Sequence, residues 1–277
     1  MSETSFSRLA KQRNFKIYCD MKERALIMVT NDDSYTAPGL RHLIRCVAEF
    51  GDVVAVAPSC QQSGQASAIT VDMPLRIHRH DDEGDARVYS IDGTPVDCVK
   101  LGLHAVMPRK PDLLLSGINH GSNSGNSVIY SGTMGAVIEG CMYGIPSIGF
   151  SLLHHSIDAD FSETTPFVRS IVEAVMRSGL PEEVCLNVNI PAKCRPKGIK
   201  VTTAARGRWT EEYKEYTSPS GKPFYMLTGH YINEEPENTA TDLYWLDREY
   251  VSVTPVRPDQ TATAAMPMVE ELLSIKP

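Results

Sequence analysis

Residues 25–40, Ala-Leu-Ile-Met-Val-Thr-Asn-Asp-Asp-Ser-Tyr-Thr-Ala-Pro-Gly-Leu, restrict what this chain can fold into more than any other stretch. The unbroken apolar run from Ala25 to Val29 is that of a strand buried on both faces. It stops at Asn31-Asp32-Asp33, and beyond Ser34-Tyr35-Thr36 a helical pattern begins, with Pro38 suited to its first turn. A buried strand, an acidic turn and a helix in that order open an α/β unit. Two adjacent carboxylates at the C-terminal end of a buried strand are costly unless a cation neutralises them, and a divalent metal ion is the simplest candidate.

Further units follow. Apolar residues at 40, 43, 44, 47 and 48 predict a helix over 38–50, closed by Gly51, and Val53 to Ala57 predict a second buried strand ended by Pro58. These make a right-handed βαβ unit followed by a small, polar loop, Ser59 to Ser67. Residues 68–92 read as a β-excursion: Ala68 to Val71, Leu75 to His78, a polar tip at Asp81 to Asp85, and Arg87 to Ile91. Thr94 then serves as N-cap and Pro95 as first residue of a helix through Val106, with Asp97 a first-turn charge rather than a catalyst. Pro111 to Ser116 is a third buried strand, running into a small, polar loop, 117–126. Ser131-Gly132-Thr133 opens a helix (Met134 to Tyr143) that Gly144 ends; Ile145 to Phe150 and Val184 to Ile190 are strands around a helix over 161–178.

From about Lys193 the pattern changes to short strands, turns such as Ser218-Pro-Ser-Gly221, and an aromatic tract around Tyr213, Tyr216, Phe224 and Tyr225, which predicts protruding hairpins. A short helix within Thr239 to Asp247, a returning strand at Tyr250 to Pro255 and a terminal helix from Met266 to Ile275 complete the chain. The expected organisation is a loosely attached extension at 1–20 and one α/β domain over 21–277, with an arm within about 193–277.

Charge and cysteine usage narrow the function. Lys and Arg number 27 against 34 Asp and Glu, a net −7 with no long basic run, which argues against binding duplex nucleic acid. Small phosphorylated substrates remain compatible, because a metal supplies positive charge locally. Seven scattered cysteines without a CxxC pair argue against a disulfide framework or a structural zinc site. No apolar run is long enough for a membrane span, and residues 1–24 lack the apolar region of a signal peptide, so a cytoplasmic protein is expected.

Three loops lie just after apolar runs: Asn31 to Thr36, Pro58 to Ser67, and Gly117 to Thr133. In a parallel sheet all three open onto one rim, where ligands gather. Their ligand-capable groups carry oxygen (Asp32, Asp33, Ser63, Asn119 and Asn123), and such hard donors suit Mg²⁺, Mn²⁺ or Ca²⁺. Each feature has a plainer use. The Asp pair can cap the following helix, Ser63 can be turn chemistry, and the Asn and Gly residues of 117–126 can supply left-handed turns. Ser131-Gly-Thr133 can be an N-cap with nothing bound, although helix starts preceded by small residues also bind phosphate. His120, the one histidine on this rim, reads as an exposed turn residue before it reads as a general acid. No GxxxxGK[ST], no GxGxxG after the first strand and no Gly-x-Ser-x-Gly elbow occur, against ATPase, dinucleotide and serine-hydrolase readings.

Val29-Thr-Asn-Asp-Asp-Ser-Tyr-Thr-Ala-Pro-Gly39 resembles the opening motif of the SurE family of nucleotidases. So do Val56-Ala-Pro with Ser63-Gly64 and Ala68-Ile-Thr70, Gly93-Thr-Pro-Val-Asp-Cys-Val99, Ser116-Gly-Ile-Asn-His-Gly-Ser-Asn-Ser-Gly125, Tyr130-Ser-Gly-Thr133 with Glu139-Gly140, and Val251-Ser-Val-Thr-Pro255. The resemblance spans about 25–275 in consistent order. It implies a doubly wound, mostly parallel, Rossmann-like α/β sheet with protruding β-hairpins and a C-terminal helix. It further implies a 5′-nucleotidase that hydrolyses nucleoside 5′-monophosphates, with 3′-nucleotides and short polyphosphate as further substrates. One divalent ion per subunit, Mg²⁺ or Mn²⁺, maps onto Asp32, Asp33, Ser63 and Asn119. Phosphate contacts map onto Asn123, Ser131, Gly132 and Thr133, and the attack on phosphorus is by water or by one of Asp32 and Asp33. The family also implies a homodimer or homotetramer through swapped arms. Ser34 departs from the family's usual Gly after the Asp pair, and the tract 206–245 is not carried over residue by residue. A catalytically silent metal- and nucleotide-binding regulator is the alternative, and a purely structural scaffold would leave the Asp pair without a partner.

Overall fold

A computed structural model describes residues 24–154, 156, 158–192 and 195–274; the extension expected at 1–20 lies outside them. The described residues open with β1 (Ala25–Thr30), α1 (Pro38–Val47) and β2 (Gly51–Pro58), continue through β3 (Ile77–Arg79) and β4 (Arg87–Ile91) to α2 (Pro95–Ala105), and return as β5 (Leu113–His120). A 3-10 turn at Gly125–Tyr130 leads into α3 (Gly132–Met142), β6 (Ser147–Leu152), α4 (Thr165–Ser178) and β7 (Cys185–Ile190). The remainder comprises β8 (Ile199–Val201), β9 (Gly207–Thr210), β10 (Tyr213–Thr217), β11 (Pro223–Leu227), β12 (His230–Asn233), α5 (Asp242–Leu246), β13 (Val251–Val256) and α6 (Met266–Leu273).

The main sheet has the order β3-β4-β2-β1-β5-β6-β7-β13-β8, parallel except at the β3–β4 and β7–β13 pairings. After β1 the chain builds to one side through β2 and β4, then crosses back to lay β5, β6 and β7 on the other. The order therefore reverses at β1, and the doubly wound expectation holds. Alternation along β1 distributes its side chains to two layers. Ile27 and Val29 pack with Leu40, Leu43 and Ile44 of α1 and Val168 and Val172 of α4, while Leu26 and Met28 pack with Val99 of α2 and Met134 and Val137 of α3. Burial on both faces is why this strand reads as a continuous apolar run.

Some expectations need correction. Gly51 does not close the first helix; α1 ends at Val47, and Gly51 begins β2, where a Cβ would lie 2.2 Å from the Ala25 carbonyl oxygen. Ala68 to Val71 forms no strand. The largest correction is β5, which continues through Gly117-Ile-Asn-His120, residues whose polarity suggested a loop. A register shift against β6 between Ser116 and Asn119 lets the strand resume pairing at Asn119–Ser151 and His120–Leu152. Thr94 and Asp97 form a reciprocal capping box at α2, as the first-turn reading of Asp97 requires.

The β10–β11 hairpin is exposed throughout and carries Tyr213, Tyr216, Phe224, Tyr225, Met226 and Leu227. Helix α6 has no buried residue. Among the described residues no helix is long and apolar enough to cross a membrane.

Candidate active site

The turn after β1 is built by its own polar groups. Asn31, fully buried, donates through Nδ2 to the Ser34 carbonyl at 2.9 Å, and the Tyr35 N–H reaches across to the Pro58 carbonyl at 3.0 Å. Ser34 adopts φ +93°, the left-handed side where glycine is at ease, and its hydroxyl lies 3.0 Å from that of Thr36. A serine thus holds a turn shape that glycine favours, and the carboxylates before it stay in place.

Neither Asp caps α1. The N-cap position is Ala37, with no side-chain cap bond, so the capping alternative is removed. Asp32 turns instead toward the start of α3, where Oδ1 accepts the Thr133 hydroxyl at 2.6 Å and the Asp32 carbonyl accepts the Gln62 N–H at 2.7 Å. Gly132 permits this approach: a Cβ there would lie 2.9 Å from Asp32 Cβ. Burial, with the neighbouring charge of Asp33 adding to it, pushes the Asp32 carboxyl from its ordinary 3.8 up to about 6, against the pull of the Thr133 hydrogen bond. Asp33 Oδ2 accepts the His120 N–H at 3.1 Å and lies 3.0 Å from His120 Nδ1, while Oδ1 accepts from Gln61 Nε2 at 3.4 Å.

His120 is therefore not an exposed turn residue. It ends β5 with its side chain 12% exposed, edge-on to the Phe161 ring at 5.1 Å, and its Nε2 is buried without a partner. Next to it, Asn119 spends Nδ2 on the Gly121 carbonyl at 2.9 Å. Ser63 is exposed, one residue beyond the Gln62 that bonds Asp32. Asp32, Asp33, Asn119 and the Gln61–Ser63 turn thus gather at the C-terminal ends of β1, β5 and β2, beside the reversal of strand order. A cleft of about 220 Å³ opens there, lined by Asp33, Ser34, Thr36, Ala37, Pro38, Gln61 and His120.

Asn123 lies in the next turn and is almost wholly engaged. Its N–H donates to Asn189 Oδ1, its Nδ2 to the Ser151 hydroxyl, and its carbonyl accepts from Asn187 Nδ2, each at 2.8 Å. Ser131 is the N-cap of α3, its hydroxyl accepting the Met134 N–H at 3.1 Å. The capping use of Ser131 is real, and it leaves the first N–H groups of the helix without intrahelical acceptors.

This donor set suits a hard divalent cation. Two adjacent carboxylates are buried side by side, the first pushed up by that burial, and the only ion pair that either makes among the described residues is with His120. No group of three or more His, Cys, Asp and Glu side chains is arranged to hold a metal ion among the described residues, so the cation reading rests on the two carboxylates together with hydroxyl and amide oxygens. Sequence reasoning missed the Thr133–Asp32 bond and the grip of His120 and Gln61 on Asp33. All of them are tertiary contacts: Thr133 reaches Asp32 from the start of α3, and Asp33 is met by His120 at the end of β5 and by Gln61 in the turn after β2.

The family described as Survival protein SurE matches residues 27–211. A 5′-nucleotidase SurE of Phocaeicola vulgatus is 46% identical over 245 residues, covering 88% of this chain and 95% of the relative. That of Christiangramia forsetii is 48% identical over 251 residues, covering 87% and 94%. The crystal structure of the SurE protein from Aquifex aeolicus superposes with a TM-score of 0.77 at 37% identity, covering 90% of this chain and all (100%) of that one.

Proposed function

The chain belongs to the SurE family, and from that membership we propose that it hydrolyses nucleoside 5′-monophosphates to nucleoside and phosphate with one divalent ion, Mg²⁺ or Mn²⁺, held by Asp32, Asp33, Ser63 and Asn119. The observation that carries the metal-dependent reading is the buried Asp32–Asp33 pair at the strand-order reversal, with a helix start against one carboxylate and no Lys or Arg paired with either among the described residues.

When bound, the cation neutralises charge that builds on the phosphoryl oxygens. The protein's own groups do the rest. Thr133 orients Asp32, and His120 with Gln61 orients Asp33, so that both carboxylates face the ligand rather than each other. Gly132 lets the N-terminus of α3 come close, and the first-turn N–H groups there, which have no intrahelical acceptor, hold phosphate oxygens with the Asn123 turn as negative charge grows. An attacking water gives its proton to one of the Asp32 and Asp33 carboxylates, and the leaving nucleoside oxygen takes up a proton in turn. Mass spectrometry of acid-quenched turnover checks this step: a phosphorylated Asp32 or Asp33 would replace the direct-water route by a covalent one.

The same site admits 3′-nucleotides and short polyphosphate, since it grips the phosphate and not the base. Self-association is proposed through the arm within about 193–277, supported by its exposed aromatic and aliphatic side chains and the unburied α6. The deciding experiment is phosphate release from a panel of 5′- and 3′-mononucleotides and tripolyphosphate with Mg²⁺, Mn²⁺ or chelator, repeated on Asp33→Asn. Release from 5′-mononucleotides that needs a divalent ion and falls by about a thousandfold or more in the variant is expected. Metal-independent release, or none at all, overturns the reading.

A further inference from the structure

Between Asn123 and Ser131 the chain forms the 3-10 turn Gly125–Tyr130, which fully buries only Gly125. A segment with so little burial takes its position from hydrogen bonds more than from packing. Most of its bonds to other segments come from the root of the arm, while at its end the Tyr130 carbonyl accepts the Ala66 N–H at 3.2 Å. The Asp242 carboxylate, wholly buried, accepts the Gly125 N–H at 2.7 Å through Oδ2, and the N–H groups of Ala205 at 3.0 Å and Leu243 at 2.8 Å through Oδ1. Tyr231 adds a second clasp: its hydroxyl accepts the Asn126 N–H at 3.3 Å and donates to the Ala205 carbonyl at 3.2 Å. Asn126 Nδ2 donates in turn to the Gly207 carbonyl at 2.6 Å. The fit is close, since a Cβ at Gly125 would lie 2.7 Å from the Tyr231 hydroxyl and 3.0 Å from the Ala205 carbonyl oxygen.

Neither Asp242 nor Tyr231 belongs to the proposed metal or phosphate set, yet both fix the segment whose two ends, Asn123 and Ser131, do. We propose that Asp242 and Tyr231 are positioning residues for the phosphate-binding segment, so that the root of the arm sets affinity for the phosphoryl group. This rests on the assignment of Asn123 and Ser131–Thr133 to phosphate. The physical reason is pre-organisation: N–H groups that point correctly before the ligand arrives spare the ordering cost on binding.

The test uses the full-length, Mn²⁺-loaded enzyme and the variants Asp242→Asn, which puts an NH₂ where an acceptor oxygen was, and Tyr231→Phe, which removes only the hydroxyl. Four quantities are read: KM, kcat, the calorimetric Kd for inorganic phosphate, and the Kd for Mn²⁺. Losing a hydrogen bond to a buried carboxylate predicts a rise of about tenfold or more in KM and phosphate Kd for Asp242→Asn, and about threefold for Tyr231→Phe. The account expects the Mn²⁺ Kd to stay close to wild type, while kcat falls along with phosphate affinity because the same N–H groups hold the charge that grows on the phosphate. Variants that lose melting temperature but keep wild-type KM and phosphate Kd overturn the proposal, as does an Mn²⁺ Kd that weakens in step. Should Asp242→Asn fail to fold, Tyr231→Phe decides on the same readouts. A wild-type enzyme that binds phosphate but releases none from nucleotides sinks the nucleotidase reading, and the clasp is then judged on phosphate Kd alone.

Discussion

Replacing Thr133 by valine keeps the shape of the side chain and removes the hydroxyl that donates to Asp32 Oδ1 at 2.6 Å. Asp32 is held up at about 6 by burial and by the charge of Asp33, and the Thr133 hydroxyl is the largest influence acting the other way. A hydrogen bond to an ionised group contributes about 1.5–3 kcal/mol, so its loss tightens proton binding at Asp32 roughly ten- to a hundredfold. In the cation-free wild type, about nine-tenths of Asp32 is ionised at pH 7; in the variant about half to one-tenth is. A divalent ion has to displace that proton. The apparent Mn²⁺ Kd at pH 7 therefore weakens about two- to tenfold, and the deficit closes as pH rises toward about 9, where Asp32 is ionised in both proteins. Calorimetric Mn²⁺ titrations of both proteins at several pH values read this directly. Equal affinities at pH 7, or a deficit that persists undiminished at high pH, refute the reasoning.

Three other outcomes follow from the same structure. Because the folded-state value for Asp32 lies above its ordinary 3.8, the folded protein binds that proton more tightly than the unfolded chain, and stability is lost as pH rises through about 6. Asp32→Asn should thus stabilise the metal-free protein at pH 7 by up to about 3 kcal/mol and confer little by pH 4; urea unfolding at both pH values checks the sign. Ser34→Gly relieves a serine at φ +93° and should raise stability by about 1 kcal/mol with activity retained, whereas lost activity would mean that the Ser34 hydroxyl takes part in the site. At Asp97 burial pushes the carboxyl up, but hydrogen bonds from Thr70 and Thr94 outweigh it and hold the group below its ordinary 3.8. Its contribution is therefore present at neutral pH and lost as pH falls through the acid range. Asp97→Ala should cost about 1–2 kcal/mol at pH 7 and less at pH 3, and an equal cost at both would contradict the capping-box account.

The parts of the fold that could be read beforehand are those where local chemistry and burial agree. Ile27 and Val29 on one side and Leu26 and Met28 on the other announce a strand covered twice, and Thr94-Pro95 announces the start of α2. The reading failed where tertiary contact overrides polarity. Asn119 and His120 look like loop residues but end a strand, because β6 offers pairing after the register shift. The odds of capping against metal binding at Asp32-Asp33 could not be settled from spacing, since a helix does start a few residues later. It took the position of Thr133, a hundred residues away in sequence, to show where Asp32 points. For the same reason nothing local marked Asp242 as a partner of Gly125. The polar links across the site join segments distant in sequence, and only the assembled sheet brings them together.

The most direct test of the central claim is to titrate chelator-stripped protein with Mn²⁺ while following phosphate release from a nucleoside 5′-monophosphate, for wild type, Asp32→Asn and Asp33→Asn. The account predicts one ion bound per chain, activity that appears in proportion to occupancy, and the loss of both in each variant. Full activity in the stripped wild-type protein, or tight Mn²⁺ binding that survives both substitutions, would contradict it.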